Sequence, residues 1–258
     1  MKVYAFQIDI RWENPTANFE KVSRLLTRAA PEKDSLIVLP EMFATGFSMN
    51  AVAEPEGGET EQYLAATAKE FRACLVAGVA IRERDGQARN EALVYSPSGD
   101  LLARYSKMRP FTPGGESRHY AAGERPVAFT WQGWIVAPFV CYDLRFPEIF
   151  RVATAEHRPH LFLIIANWPQ KRIQHWIRLL QARAVENQAY VVGVNRCGSD
   201  PDHTYNGHSL IVDPHGEILS DANEGEGWIE GRLDLAGLEK YRTDLPFLAD
   251  LRPARIGC

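Results

Sequence analysis

The stretch IVAPFVCYDLRFPE, residues 135–148, is the segment that most strongly determines the fold. Six apolar residues lead into Cys141, and Pro147 stands where a helix would begin. An apolar run of this length is typical of a buried strand, and proline suits the first position of a helix. The pattern therefore predicts a strand that delivers a thiol into a tight turn before a helix. Such an elbow exposes a nucleophile and offers backbone N–H groups, here that of Tyr142, to a developing oxyanion.

Cys141 has two interpretations at this position. As a nucleophile it would react as the thiolate, which a nearby cation or a helix N-terminus favours. Alternatively, it is buried and acts as a small hydrophobic residue, which is the usual role of a lone cysteine. A protease-like mechanism would need a histidine partner. The sequence leaves a Cys–His dyad open, because the members of a dyad are neighbours in space and not in sequence.

Glu41 follows a predicted short buried strand at residues 35–39. In α/β sheets, functional groups gather at the carboxyl ends of strands. We expect a partly apolar environment to raise the pKa of Glu41, so that its carboxyl group can move protons near neutral pH. The alternative is a solvated glutamate in a loop.

Lys107 and Glu116 are two further candidates for the same site. Lys107 follows the strand that leaves a predicted hairpin, and Glu116 ends the glycine-rich loop PGGE at residues 113–116. A lysine between carboxylates keeps its charge and can stabilise an oxyanion. Taken singly, Lys107 could be a surface lysine and Glu116 part of a simple turn.

Strand-like and helix-like segments alternate along the chain, which predicts a layered α/β domain. A helix is predicted to begin at Asn14-Pro15, and others cover residues 59–72, 147–156 and 171–187. Predicted strands cover residues 1–10, 35–39, 74–81, 91–95, 135–140, 161–166, 190–195, 209–212 and 228–233. Because no linker rich in Gly, Ser or Pro divides the chain, we expect one domain over residues 1–258.

Two segments of the chain resemble each other. LVYSPSGDLL at residues 93–102 and LIVDPHGEIL at residues 210–219 both have a strand, a Pro-x-Gly turn and a returning strand. Any two hairpins could share such a turn. The alternative is an old duplication that gives two similar halves with two facing sheets.

Several functional classes are disfavoured by composition. The formal net charge of −4 argues against a nucleic-acid partner, and no dinucleotide or phosphate-loop motif is present. The most apolar stretch, residues 161–166, is far shorter than the roughly 20 residues that a membrane-spanning helix needs. His157 and His160 lack further ligands at metal spacing, so we expect no metal site. Scattered cysteines predict reduced thiols in a cytoplasmic protein; they are Cys74, Cys141, Cys197 and Cys258.

The order of these motifs resembles the carbon–nitrogen hydrolase (nitrilase) superfamily. The matching motifs are LPEMF around Glu41, YSK around Lys107 and VCYDLRFPE around Cys141, and the resemblance extends over essentially the whole chain. It implies a Glu41–Lys107–Cys141 triad with Glu116 as a second glutamate, acting without a cofactor. It also implies an α/β fold, namely an α-β-β-α sandwich with internal pseudo-symmetry that pairs into a homodimer.

Within the superfamily, EMFATGF at residues 41–47 and NWP at residues 167–169 resemble the bacterial omega-amidase (2-oxoglutaramate amidase) branch. This resemblance implies hydrolysis of a small linear amide, 2-oxoglutaramate or 2-oxosuccinamate, through a cysteine thioester. One departure is MRPF at residues 108–111, where relatives often carry a basic residue, His, Leu and Phe. The alternatives are an amidase for N-carbamoyl amino acids or for a deaminated peptide amide, and a non-catalytic binding protein of the same fold.

Four residues are predicted to bind the substrate. Arg145 could clamp a carboxylate, since a guanidinium matches it in a bidentate fork, or it could form a structural ion pair. Trp168 could wall the pocket or cap the edge of the sheet. Phe47 and Phe111 lie in segments that the resemblance assigns to the pocket.

Overall fold

In the computed structural model, which describes residues 1–50 and 52–252, strands and helices alternate from the first residues onward. The strands are β1 Lys2–Gln7, β2 Leu36–Val38, β3 Glu54–Pro55, β4 Cys74–Arg82, β5 Ala88–Tyr95, β6 Leu101–Ser106, β7 Phe129–Trp131, β8 Trp134–Val140, β9 Leu161–Ala166, β10 Tyr190–Asn195, β11 Cys197–Ser199, β12 Thr204–Asn206, β13 Leu210–Val212, β14 Ile218–Asp221 and β15 Gly227–Arg232. The α-helices are α1 Pro15–Ala29, α2 Glu59–Phe71, α3 Pro147–His157, α4 Ile173–Asn187 and α5 Leu235–Asp244.

The two main sheets repeat one topology. The first sheet has the order β15-β1-β2-β4-β5-β6, with β3 beside β4, and the second has the order β14-β13-β10-β9-β8-β7. In the first sheet, β1, β2 and β4 are parallel, and β5 and β6 return antiparallel. In the second sheet, β8, β9 and β10 are parallel, and β13 and β14 return antiparallel. The hairpins β5–β6 and β13–β14 therefore occupy equivalent ends of the two sheets, which confirms the internal pseudo-symmetry.

Each sheet is covered by helices on its outer face. Along β1 and β2, one set of alternate residues packs in the core shared with the second sheet, and the other set packs with α1 and α2. The inner faces meet where β1 lies against β10 and β5 against β8. On the far side, α4 packs on β10 and β13, and α3 packs beside α4. The predicted α-β-β-α sandwich is confirmed.

Local signals explain where α1 begins and which side it buries. Pro15 occupies its first turn, and the Asn14 side chain caps it by accepting a hydrogen bond from the Ala17 N–H at 3.1 Å. The buried side includes Phe19, Val22 and Leu26, as the apolar spacing predicts.

One predicted helix boundary needs correction. Helix α4 begins at Ile173 and not at residue 171, because a 3₁₀ turn at Gln170–Arg172 precedes it. The Trp168 indole N–H donates to the Arg172 carbonyl at 2.8 Å, and Arg172 itself has a non-helical φ of −123°. The turn predicted after the strand that leads into Cys141 is a 3₁₀ turn at Cys141–Arg145, and α3 begins at Pro147 as predicted.

The remaining sequence predictions concern membranes and thiols. Within the described ranges, no helix is both long enough and apolar enough to cross a membrane. Cys74, Cys141 and Cys197 are free thiols. The fourth cysteine of the sequence, Cys258, lies outside the described residues.

Candidate active site

The residues singled out from the sequence meet at one end of the sandwich. Cys141 directly follows β8, Lys107 directly follows β6, and Glu41 lies just beyond β2. Glu116 opens a 3₁₀ turn at Glu116–Arg118 in the loop after Lys107. The carboxyl ends of strands from both sheets thus supply the site, as expected for a layered α/β fold.

Lys107 bridges the two glutamates in the protein interior. Its Nζ lies 2.9 Å from Glu41 Oε1 and 2.8 Å from Glu116 Oε2, and the three side chains are at most 1% exposed. Burial would lower the pKa of Lys107, but Coulombic attraction to Glu116 and Glu41 outweighs it and holds the pKa above its ordinary value. Lys107 is therefore a charged ammonium and not a surface lysine.

Glu41 is surrounded by hydrogen-bond donors. The Asn90 side-chain N–H₂ donates to Glu41 Oε1 at 2.6 Å, and the Asn167 backbone N–H donates to Oε2 at 2.8 Å. Burial favours a raised pKa, but the charge and hydrogen bond of Lys107 and these two donors outweigh burial and lower the pKa of Glu41. The expectation of a raised pKa is wrong, because the lysine that compensates the carboxylate lies far away in sequence.

The Cys141 elbow holds the thiol in a strained backbone. Cys141 has a φ of +46°, in the left-handed region that residues other than glycine rarely adopt. Its Sγ lies 3.8 Å from the Asn167 carbonyl oxygen. Burial raises the pKa of the thiol, the Glu41 charge and a hydrogen bond to Glu41 raise it further, and Lys107 offsets only part of this. The raised pKa favours the neutral thiol, so Lys107 does not produce the thiolate that the sequence suggested.

Asp143, which the sequence reasoning missed, ties the elbow to the lysine segment. Its Oδ2 accepts hydrogen bonds from the Tyr105 hydroxyl at 2.8 Å and the Val140 N–H at 3.0 Å, and its Oδ1 accepts from the Arg109 N–H at 2.8 Å. Burial raises the pKa of Asp143 to about 7, although these hydrogen bonds and Lys107 oppose the rise. The carboxyl group thus connects the turn that carries Cys141 with the chain that follows Lys107.

A cavity opens beside the thiol, with about 400 Å³ of empty space when the part open to solvent is included. All four predicted substrate-binding residues line it. The complete lining is Phe47, Lys107, Phe111, Cys141, Tyr142, Arg145, Asn167, Trp168, Pro169, Arg172, His203 and Tyr205. Arg172, His203 and Tyr205 were not predicted, because they lie in loops and a short ribbon, β11–β12, whose positions depend on the tertiary fold.

Aromatic rings form one wall of this cavity. The Phe111 ring packs against Tyr142 with centroids 5.0 Å apart and against Phe47 at 6.5 Å. Lys107 Nζ lies 5.2 Å from the centre of the Phe47 ring. The wall therefore limits access of water to the thiol and the lysine.

Two guanidinium groups also line the cavity. Arg145 stacks over the Trp168 ring at 4.6 Å, and Arg172 lies over Phe111 at 5.6 Å. Within residues 1–50 and 52–252, neither arginine forms a salt bridge with a carboxylate. Burial and the charge of Arg172 lower the pKa of Arg145. This geometry differs from the structural ion pair considered for Arg145 and leaves both cations available to a bound anion.

The other chemistries raised by the sequence find little support in the geometry. Across the described part of the chain, no histidine hydrogen-bonds to Cys141; His175 instead contacts Arg145 Nη1 at 3.3 Å. His203 lines the cavity without a hydrogen bond to the thiol. No group of three or more His, Cys, Asp or Glu side chains among the described residues is arranged to hold a metal ion.

Comparison with known proteins places this geometry in context. The model of the carbon-nitrogen hydrolase family matches residues 2–243. The chain is 41% identical over 254 residues to the omega-amidase YafV of Yersinia enterocolitica, covering 97% of this chain and 96% of that protein. It is 32% identical over 253 residues to the 2-oxoglutaramate amidase of Bacillus subtilis, covering 97% of each.

The solved structures agree with the sequence matches. A CN-hydrolase superfamily protein from Xanthomonas campestris, with an arsenic adduct in its active site, superposes with a TM-score of 0.94. Its sequence is 33% identical, and the match covers 100% of this chain and 99% of that chain.

Proposed function

The chain belongs to the carbon-nitrogen hydrolase family and is a hydrolase of non-peptide carbon–nitrogen bonds, and from this premise we propose that it is an omega-amidase. Its substrate is the terminal amide of a 2-oxo dicarboxylic acid, 2-oxoglutaramate or 2-oxosuccinamate, and its products are the acid and ammonia. One observation carries this assignment: Arg145 and Arg172 line the cavity that contains the Cys141 thiol, and neither has a carboxylate partner in the part of the chain that the structure describes.

The cavity charges favour an acyl group that ends in a carboxylate. Glu41 and Glu116 are already paired with Lys107, so the net charge near Arg145 and Arg172 is positive. A 2-oxo acid brings one carboxylate to these cations. Glutamine and asparagine would bring an α-ammonium group as well, and it would meet like charge. We therefore assign the carboxylate to Arg145 and Arg172, while Trp168, Phe47 and Phe111 enclose the carbon chain.

Acylation begins with the neutral thiol. Glu41 takes the Sγ proton while the sulfur of Cys141 forms a bond to the amide carbon, and the carbonyl π electrons move onto oxygen. Because the pKa of the thiol is raised and that of Glu41 is lowered, the proton moves together with the attack and not before it. Lys107 and the Tyr142 N–H stabilise the oxyanion, an effect for which one donor typically contributes about 3–4 kcal/mol.

Collapse of the tetrahedral intermediate releases ammonia. Glu41 returns the proton to the amide nitrogen, the carbon–nitrogen bond breaks, and a thioester to Cys141 remains. A water molecule then loses a proton to Glu41 and attacks the thioester carbon. The carbon–sulfur bond breaks, the proton returns to sulfur, and the acid leaves. Glu116 and Asn90 hold Lys107 and Glu41 in place through both steps.

A second candidate is an amidase for a deaminated peptide amide. The chain is 33% identical to the deaminated glutathione amidase of Synechocystis, covering 91% of this chain. A neighbouring pocket, open to solvent, shares Pro169, Arg172 and His203 with the first and offers room for a larger leaving group. A peptide amide that is hydrolysed faster than 2-oxoglutaramate would favour this candidate.

The assignment is tested by ammonia release from 2-oxoglutaramate, glutamine, asparagine, an N-carbamoyl amino acid and a simple nitrile. We expect 2-oxoglutaramate to react fastest, and Cys141→Ala to abolish turnover. Equal rates on all five compounds would refute the omega-amidase assignment. A Cys141→Ala protein with full turnover would refute the mechanism, and a folded wild type inert to all short amides would support a binding protein instead.

The two arginines are tested separately with Arg145→Gln and Arg172→Gln. Each substitution should raise KM for 2-oxoglutaramate by about 10–100-fold, since a hydrogen bond to a charged group contributes about 1.5–3 kcal/mol. Hydrolysis of the neutral amide butyramide should change little. Arg178→Gln, an exposed position on α4, is the matched control.

We further propose that the chain works as a cytoplasmic homodimer with a single domain over residues 1–258. Val185 on α4 and Leu245 after α5 are 45% and 50% exposed, and Gln188 joins the two segments by donating to the Leu245 carbonyl at 2.9 Å. Buried free thiols at Cys74 and Cys197 suit a reducing compartment. Light scattering tests the dimer: Val185→Glu should weaken it, and a monomeric wild type would contradict it.

A further inference from the structure

Asn167 lies between the base and the nucleophile. Its side-chain N–H₂ donates to the Glu41 backbone carbonyl at 2.8 Å and to Glu41 Oε2 at 3.3 Å. Both partners are obligate acceptors, so the nitrogen must face Glu41 and the side-chain oxygen Oδ1 must face elsewhere. The Asn167 backbone carbonyl lies 3.8 Å from Cys141 Sγ.

The side-chain oxygen of Asn167 lacks a hydrogen-bond donor in the part of the chain that the structure describes. Asn167 is 5% exposed, and its Oδ1 is buried without a hydrogen bond among the described residues. A buried acceptor without a donor is costly, and native proteins tolerate few of them. Of the orphan atoms found in residues 1–50 and 52–252, this is the one that belongs to a residue lining the cavity beside the thiol.

A primary amide in the cavity would supply the missing donor. Its carbonyl oxygen is directed to Lys107 and to the Tyr142 N–H in the proposed mechanism, which leaves its two N–H groups in need of acceptors. Glu41 has Lys107, Asn90 and Asn167 as donors to its oxygens. A neutral oxygen beside Glu41 suits the amide N–H. This oxygen accepts the hydrogen bond and keeps the same charge when the nitrogen leaves as ammonia.

We infer that Asn167 Oδ1 accepts a hydrogen bond from the scissile amide nitrogen and turns that nitrogen towards Glu41. Asn167 is then a catalytic residue that recognises the leaving group, and the inference rests on the proposed amidase function. A substrate with the same acyl group and an ester in place of the amide has no N–H to offer. Loss of Oδ1 should therefore slow amides and spare esters.

The experiment compares kcat/KM for 2-oxoglutaramate and for the matching methyl ester in Asn167→Ala, Asn90→Ala and the wild type. Asn90 is the matched control, because it also donates to Glu41 and also has a buried orphan Oδ1, yet it does not line the cavity. Both variants should lose activity through Glu41. In Asn167→Ala, kcat/KM for the amide should fall roughly tenfold more than kcat/KM for the ester, which is the range expected for one hydrogen bond.

Asn167→Asp keeps an oxygen at the Oδ1 position and loses the donor to Glu41. It should slow both substrates and return the amide-to-ester ratio to that of the wild type. An unchanged ratio in Asn167→Ala, or an equal change in Asn90→Ala, would overturn the inference while leaving the amidase function intact. A wild type that hydrolyses neither compound would overturn both. Circular dichroism of each variant verifies that it is folded.

Discussion

Lys107 Nζ lies 2.9 Å from Glu41 Oε1, and the side chains are 1% and 0% exposed. Burial would neutralise either group alone, raising the pKa of the glutamate and lowering that of the lysine. Glu116 and Glu41 reverse the shift of the lysine, and Lys107 reverses that of Glu41, so both groups remain charged at neutral pH. The charges of Glu41 and Lys107, which we propose as proton acceptor and oxyanion donor, therefore depend on each other.

Replacement of the lysine tests this dependence. Lys107→Met removes the proposed oxyanion donor and the ammonium group that pairs with the buried Glu41 and Glu116. We expect kcat/KM at neutral pH to fall by at least about 10²–10³-fold. Stability in urea should fall by about 3–5 kcal/mol, as when one partner of a buried ion pair is removed. The exposed Lys33→Met is the control, and normal activity in Lys107→Met would contradict the assigned role.

The pH dependence of kcat/KM follows from the directions of the pKa shifts. Glu41 acts as a carboxylate, and its lowered pKa keeps it ionised below its ordinary value of 4.5, so the acid limb should lie below pH 4.5. The thiol acts from its neutral form, and its raised pKa places any basic limb above pH 9.0. Stopped assays between about pH 4 and 9 should give a broad plateau. In Lys107→Met the acid limb should move upward, and an unshifted limb would mean that Lys107 does not hold the pKa of Glu41 down.

The parts of the site that depend on local pattern could be predicted from the sequence. The apolar run before Cys141 and the proline after it fix the elbow, and the run before Glu41 places that residue at a strand end. Both depend on strand and helix preferences that act over a few residues. The sandwich and its repeated hairpins follow from the same kind of signal together with the family resemblance.

The features of the site that depend on contacts between distant parts of the chain could not be predicted. Asn90 donates to Glu41 across 49 positions of the chain, and nothing around it in the sequence marks it. The pKa of Glu41 was predicted in the wrong direction because its sign depends on Lys107, 66 positions away. Arg172 ends a 3₁₀ turn ahead of α4, and its carbonyl accepts a hydrogen bond from the Trp168 indole, a contact that the local pattern does not reveal.

Gly78 on β4 should be essential for the position of Glu41. A Cβ atom added there would lie 2.4 Å from Glu41 Cα and 2.6 Å from the Met42 nitrogen, and backbone atoms cannot move aside cheaply. Gly78→Ala should reduce kcat/KM by at least about tenfold and stability by about 1–3 kcal/mol, the usual range for overpacking. Gly227→Ala is the matched control, since a Cβ there meets nothing within 4 Å. Equal behaviour of the two variants in kinetics and thermal denaturation would contradict the close approach.

Asp143 should make the free energy of unfolding depend on pH, and the variant Asp143→Asn should lack this contribution. Its folded pKa of about 7 lies above the ordinary 3.8, so the folded protein binds more protons than the unfolded chain between these values. The stability that this group contributes is complete below pH 3.8 and is lost as the pH rises through 7. Asparagine does not titrate.

Wild type should therefore exceed Asp143→Asn in free energy of unfolding by less at about pH 8.5 than at about pH 5.5. The expected decrease is on the order of 1–3 kcal/mol, since one pKa unit corresponds to about 1.4 kcal/mol. Urea denaturation at both pH values measures it, with the exposed Asp250→Asn as control. An advantage that grows with pH would show that Asp143 is instead stabilised as a carboxylate.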